Sequence, residues 1–269
     1  MPEGPEVRVM TDMLVKEVQA KTLQAIHWNG QSRYHKKGLP SYESLSAQLP
    51  FKVIQIDCHG KKIIMTLEND WYVVCSPLMS GKFLLQQGGH SGLWFTFVDG
   101  SIIYFDDQRH MGLIEIIQGK ATLERKMSKL GPDLLKTEVT SKQWLEVFRK
   151  PRMKNMQICK ALMDQKYFSG CGNYLKAEVL YRCKIKPDRL LGDLTDDQLD
   201  EVRSVLLEII RHSYRSQGHS FMSYTDLNGD KGSFQVKVYR HKQDPHGNPV
   251  RKDTFKDGRG TYWVPTVQV

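Results

Sequence analysis

Eight short runs between residues 22 and 118 constrain this chain more than any other feature. They are Thr22–Trp28, Val53–Asp57, Lys62–Leu67, Trp71–Cys75, Lys82–Leu85, Leu93–Val98, Ser101–Phe105 and Leu113–Ile117. Each is rich in β-branched and aromatic residues, and turn residues separate them. Asp99-Gly100, between two of the runs, reads as a hairpin turn. Many short strands with frequent turns close into a sandwich or a barrel. Ahead of them Val7, Met10, Leu14 and Val18 recur at helical spacing after Pro5, so residues 3–19 predict a helix fronting the β-domain.

Leu130-Gly131-Pro132-Asp133-Leu134 punctuates a change to helical patterning. Thr140 to Gln143 fits a capping box for a helix over 141–149. Met156–Gln165 predicts a second helix. The glycine-rich turn Ser169-Gly170-Cys171-Gly172 leads into a third, from Asn173 to Cys183. Thr195 to Gln198 is another capping box; it opens a longer helix with Leu199, Val202, Leu206, Ile209 and Ile210 on one face, ending near Gly218. The tail from 219 is polar and rich in Gly, Lys and Arg, with Gln235–Arg240 and Gly260–Val264 as candidate strands of a folded hairpin. The expected division is a β-sandwich over 1–133, a helical domain over 134–225 and a finger over 226–269. The fold class is α+β.

A chain of 269 residues buries a sizeable core. Its 39 basic and 30 acidic residues leave +9, unevenly spread. Residues 1–120 hold 12 of each sign, so the remaining 27 basic and 18 acidic residues place the whole excess after residue 120. That surface suits a polyanion, though charge alone fits a merely soluble basic protein equally well. Cys58, Cys75, Cys159, Cys171 and Cys183 form no C-x-x-C pair, which predicts reduced thiols in an intracellular protein and neither a disulfide framework nor a zinc site. No signal peptide and no apolar stretch of about 18 residues is apparent.

The N-terminus, Met1-Pro2-Glu3-Gly4-Pro5-Glu6-Val7, carries chemistry of its own. Once Met1 is removed, Pro2 offers a secondary amine with Glu3 beside it. Such an amine can attack a carbonyl-level carbon and form an iminium ion, which holds positive charge without a proton and is an electron sink. An α-amine titrates near about 8 and a lysine near about 10.4, so at pH 7 roughly a tenth of the amine is nucleophilic. Glu3 can serve as general acid and base at the same carbon. Taken alone, the stretch reads more readily as the mere cap of an N-terminal helix.

The stretch is not alone. With Gly60-Lys61, Leu78-Met79-Ser80-Gly81, Asp107-Gln108-Arg109, Gly170-Cys171-Gly172-Asn173-Tyr174 and Gly258-Arg259-Gly260-Thr261-Tyr262, it resembles the Fpg/Nei (formamidopyrimidine and endonuclease VIII) DNA glycosylases, in order and over nearly the whole chain. The resemblance implies a two-sheet β-sandwich behind an N-terminal helix, then a helix–two-turn–helix domain with a β-hairpin finger. It implies Pro2 as Schiff-base nucleophile, Glu3 as proton donor, Lys61 (spacing alone admits Lys62) as proton donor or phosphate contact, and Glu6 beside the base. Met79, Arg109 and Met111 become the wedge that fills the gap left by a flipped nucleotide; without the family they read as core methionines and a surface arginine. Gly170, Gly172, Asn173 and Arg259 become phosphate contacts.

Two departures stand out. Met111 occupies the place where the family usually has an aromatic intercalator. No cysteine follows Cys183, although typical members close with four cysteines on zinc. The chain resembles the zincless-finger, Nei-like branch, so no metal and no cofactor is expected; His241 and His246 are too few for a tetrahedral site. The implied function is a bifunctional glycosylase and abasic-site lyase of base excision repair. It acts as a monomer on damaged double-stranded DNA, away from membranes, wherever DNA is kept (nucleus, cytoplasm or virus). The expected lesions are oxidised pyrimidines, formamidopyrimidines and hydantoins. An enzyme preferring 8-oxoguanine and a damaged-DNA-binding module without catalysis are the alternatives.

Overall fold

The computed structural model describes residues 2–220 and 226–269. They fall into two compact units: residues 1–129 with 216–233, and residues 130–215 with 234–269.

The first unit opens with helix α1 (Gly4–Val18). Pro5, in its first turn, lacks only an N–H that the helix leaves unbonded. Val7, Met10, Leu14 and Val18 are all but fully buried, as their spacing predicts, each worth about 1.5–3 kcal/mol of apolar burial. Strand β1 (Thr22–Trp28) and the short helix α2 (Tyr42–Ser46) follow. The strands β2 (Phe51–His59), β3 (Lys62–Leu67), β4 (Trp71–Ser76), β5 (Lys82–Leu84), β6 (Ser91–Phe97), β7 (Ile102–Asp106) and β8 (Leu113–Gln118) complete the set. All eight expected runs are strands, displaced by no more than a few residues.

Their order is β5-β7-β6-β1-β2-β3-β4-β8, antiparallel throughout. The sheet continues from β1 to β2 through the short pairing Thr22↔Lys52 and Leu23↔Phe51, extended by backbone bonds from Ala20 to Val53 and from Val53 to Lys21. Strict alternation sends Ile63, Met65 and Leu67 of β3 into the same core as Leu93, Phe95 and Phe97 of β6. Strand β4 is buried on both faces, because helix α3 (Lys120–Met127) lays Leu123 over Tyr72, Val74 and Ile117 on its outer side. The sequence hid α3: it has no fully buried residue and no apolar stripe.

The second unit contains α4 (Ser141–Phe148), α5 (Ile158–Met163), α6 (Asn173–Arg182) and α7 (Asp196–Arg215). The hairpin β9 (Arg251–Thr254) and β10 (Gly260–Trp263) follows, in register from Thr254↔Gly260 to Arg251↔Trp263. Trp144, Phe148 and Phe168 pack with centroids 4.5–5.6 Å apart at the core, Trp144 stacked on Phe168 and Phe148 edge-on to both. Residues 174–181 of α6 are all buried, so the unit is built around that helix. The expected strand over Gln235–Arg240 does not form. The N–H groups of Lys237, Val238 and Tyr239 converge instead on the fully buried carboxylate of Glu178, at 2.8, 2.9 and 3.0 Å. In a strand, successive N–H groups point to opposite sides and cannot share one acceptor. Among the described residues no helix is long and apolar enough to cross a membrane.

Candidate active site

Pro2 and Glu3 are buried at the start of α1. Glu3 is the N-cap, in extended conformation, and Glu6 closes a capping box with it. The fully buried Glu6 carboxylate accepts the Glu3 N–H at 2.9 Å with one oxygen and the His219 N–H at 3.0 Å with the other. Two carboxylates therefore sit at the positive end of the helix, where its dipole favours them. Glu6 also fixes the backbone carrying Pro2 against the segment that follows α7 within this unit. Sequence reasoning missed His219, since its contribution is a backbone donor 213 residues away.

Helix α1 lies on β2, with Arg8 reaching Asp57 at 3.4 Å and Gln19 accepting from Ile56 N–H at 3.2 Å. The next turn, Gly60-Lys61, joins β2 to β3 as a two-residue hairpin, and only Gly60 takes a positive φ, +57°. The neighbouring Lys62 lies in the sheet: its Nζ donates to Ser76 Oγ at 2.8 Å and faces Glu115 at 3.9 Å. Burial pushes its ammonium below the usual lysine range; Glu115 opposes that shift and Lys126 reinforces it.

The candidate wedge residues sit on two loops joined by one side chain. Asp107, which is buried, accepts from Ser80 Oγ and from Arg109 N–H through Oδ1, and from Gly112 N–H at 2.6 Å through Oδ2. The turn bearing Met79 is thereby tied to the loop bearing Arg109 and Met111. Arg33 adds a bond from its guanidinium to Met111 O at 2.7 Å. Arg109 is exposed and Met111 is 40 % exposed, so neither is core. A Cβ on Gly81 or Gly112 would meet Phe105 at 2.6 or 2.5 Å, which explains glycine at both loop ends. Asp107 stands in the motif Asp107-Gln108-Arg109, but nothing local in the sequence reveals it as the strut.

In the second unit Gln165 shapes the approach to α6. Its Oε1 accepts from Gly170 N–H at 3.0 Å, and its Nε2 donates to Cys171 O and Met163 O at 2.9 Å. Gly170, at φ +111°, adopts a conformation closed to other residues; Gly172 is extended and needs no such freedom. Asn173 begins α6 and donates through Nδ2 to Gly260 O at 3.0 Å, next to the exposed Arg259 on the hairpin tip. These two sequence-chosen residues are thus brought together. Its Oδ1 is buried without a hydrogen-bond partner.

The residues of the hairpin do not fit the four-cysteine zinc site typical of the resembled family, since no cysteine follows Cys183. Each cysteine is a buried free thiol; burial pushes Cys159 and Cys183 up to about 12, far from the thiolate a metal requires. Among the described residues no three His, Cys, Asp or Glu side chains converge. Three side chains of α6 organise the segment instead. Glu178 holds residues 237–239, Lys176 holds Asp257 and Thr261, and Tyr181 O–H donates to Asp244 at 3.1 Å.

The buried Pro2–Glu3 turn thus belongs to the first unit, and the glycine-led helix α6 and the hairpin bearing Arg259 belong to the second. The family model of the formamidopyrimidine-DNA glycosylase N-terminal domain matches residues 1–114, that of the H2TH domain 130–224 and that of the C-terminal domain 225–269. The formamidopyrimidine-DNA glycosylase of Lactobacillus helveticus is 30 % identical over the whole chain and 99 % of its own length; that of an Exiguobacterium strain is 29 % identical over 100 % and 99 %. Among solved structures, MutM (Fpg) from Thermus thermophilus matches with a TM-score of 0.86 at 25 % identity, covering 99 % of this chain and 98 % of that one. Lactococcus lactis Fpg in complex with abasic-site DNA matches at 0.85 and 25 %, covering 99 % of both chains. The chain belongs to the formamidopyrimidine-DNA glycosylase (Fpg) family. It is a DNA-binding glycosylase of base excision repair.

Proposed function

We propose that this enzyme excises oxidised bases from duplex DNA through a covalent intermediate on Pro2 and then cuts the strand as a lyase. The observation that carries this is the N-terminal turn, in which Pro2 and Glu3 are buried side by side on a backbone fixed by Glu6. The Pro2 nitrogen forms a bond to C1′ as the glycosidic bond breaks, that bonding pair leaves with the base, and the proton that the Pro2 nitrogen sheds neutralises the departing base. Glu3 protonates the sugar ring oxygen, the ring opens and an iminium ion remains. Loss of a C2′ proton then expels the 3′ phosphate (β-elimination), and a second elimination expels the 5′ phosphate. Water releases the proline.

Met79, Arg109 and Met111 fill the gap left by the flipped nucleotide, and Asp107 makes their two loops move together. Lys61 contacts a phosphate near the flipped sugar. Arg259 and the N-terminus of α6, with Gly170, Gly172 and Asn173, hold backbone phosphates. The lesions are formamidopyrimidines, with hydantoins and oxidised pyrimidines beside them. Formamidopyrimidine stands in the name of the relatives, and Fapy-dG-containing DNA is bound by a Lactococcus lactis Fpg mutant in a solved complex at 25 % identity. Any loop capping the base falls between Gly218 and Val238, of which residues 221–225 lie outside the described residues.

Borohydride reduction during reaction with a single-lesion duplex tests this reading. The expected product is one stable protein–DNA adduct that maps to the N-terminal peptide. Base release or binding without any trapped adduct overturns the covalent mechanism, and binding alone identifies a non-catalytic module. A panel of such duplexes ranks the lesions.

Two further outcomes follow. Purified protein should hold no stoichiometric zinc by elemental analysis and keep its activity in chelator; one tightly bound zinc per chain overturns the metal-free finger. Arg259→Ala should weaken binding about equally on two flanking sequences and flatten the log-affinity against log-salt slope by roughly one unit, as for one lost phosphate contact. An unchanged slope, or a loss confined to one sequence, removes Arg259 from the phosphate anchors.

A further inference from the structure

Lys176 is a lysine with no exposed surface, midway along a helix whose other buried residues are mostly apolar. Its ammonium pairs with Oδ2 of Asp257, whose side chain is 1 % exposed, and donates to Thr261 Oγ1 at 2.8 Å. Asp257 and Thr261 lie on either side of Arg259. The other oxygen of Asp257 accepts the Arg259 N–H at 3.1 Å. One carboxylate thus connects a fully buried cation to the backbone of the exposed arginine.

The rest of the tip is pinned to α6 and to the residue that caps α5. Lys256 N–H donates to Gln157 Oε1 at 2.9 Å, at the start of α5, and Gly260 O accepts from Asn173. Positions 256, 257, 260 and 261 are all held, while Arg259 points an exposed side chain outward. A buried ion pair is weak evidence for stability, because apolar residues of similar shape often replace it without loss. What it provides is one defined geometry, since an unpaired buried charge is costly and the alternative loop conformations are thereby excluded. An anchor ordered in advance loses less freedom when it meets its ligand.

We propose that Lys176, acting through Asp257, is a positioning residue that pre-orders Arg259 for a DNA backbone phosphate. It takes the place of a metal in holding the tip of the finger. The inference rests on the reading of Arg259 as a phosphate anchor.

The test is a double-mutant cycle between Lys176→Met and Arg259→Ala, read as affinity for a non-cleavable abasic-site duplex across a salt series. Each single variant should weaken binding roughly tenfold or more, the loss of one charge-assisted hydrogen bond, with the same flattening of the salt slope. The double variant should bind no worse than the weaker single one. Lys176→Arg, which keeps the charge, should recover most of the loss, whereas a merely space-filling role would be met by Met. If Lys176→Met does not fold, as judged by thermal melting, Asp257→Asn replaces it in the cycle. If the two losses multiply, or if Lys176→Met binds like wild type while Arg259→Ala does not, the positioning role falls and the anchor stands. If Arg259→Ala alone changes neither affinity nor slope, both readings fall.

Discussion

Glu3→Gln protein is expected to bind a damaged duplex with near wild-type affinity and to release essentially no base. The amide matches the carboxylate in size and can still accept a hydrogen bond at the head of α1, so the turn and the burial of Pro2 should persist. What is lost is the proton. A neutral amide neither donates one to the ring oxygen nor accepts one during elimination, and general acid–base groups contribute roughly 10²–10⁴-fold each. Glu6 cannot substitute where it stands, because its oxygens accept the N–H groups of Glu3 and His219. Single-turnover excision measured beside equilibrium binding separates the two effects. Excision within a few-fold of wild type would mean that another acid serves the sugar.

Protein that uniformly retains Met1 should show an equally large loss, with neither trapped adduct nor strand cleavage. Only a free α-amine is substantially neutral near pH 7; a lysine at about 10.4 is less than 0.1 % neutral. Burial pushes the Lys62 ammonium below the usual lysine range, so Lys62 is a candidate replacement. Its nitrogen is already engaged with Ser76 and Glu115 inside the sheet, which leaves it poorly placed to attack a sugar. Intact-mass analysis of active and inactive preparations decides the matter, and full activity from Met1-retaining protein rules out Pro2 as the nucleophile.

Much of the fold was legible because its signals are local. Strand β3 buries alternate residues, and the apolar Val7, Met10, Leu14 and Val18 of α1 recur at every third or fourth position, so period alone assigned both. The capping box at Thr140 reads directly as the start of α4. Helix α3 escaped because it covers a strand with one half-buried leucine and so carries no stripe. Gln235–Arg240 misled because β-like residues form a strand only where a partner strand exists, and here a carboxylate from α6 took the N–H groups first.

The candidate site divides in the same way. The sequence by itself determined the residue types: a proline and a glutamate behind the initiator methionine, glycines before Asn173, an arginine in a glycine-flanked turn, and no cysteine to hold a metal after Cys183. Each of these is a property of a few adjacent residues. Only the tertiary structure decided that Asp107 ties two loops 27 residues apart, that His219 closes on Glu6, and that Lys176 lies buried against Asp257, 81 positions further on. A charged residue within a helix reads as solvent-facing until its partner is known. The partner comes from a distant part of the chain, because only there can a counter-charge arrive from outside the helix and make the burial of that charge tolerable.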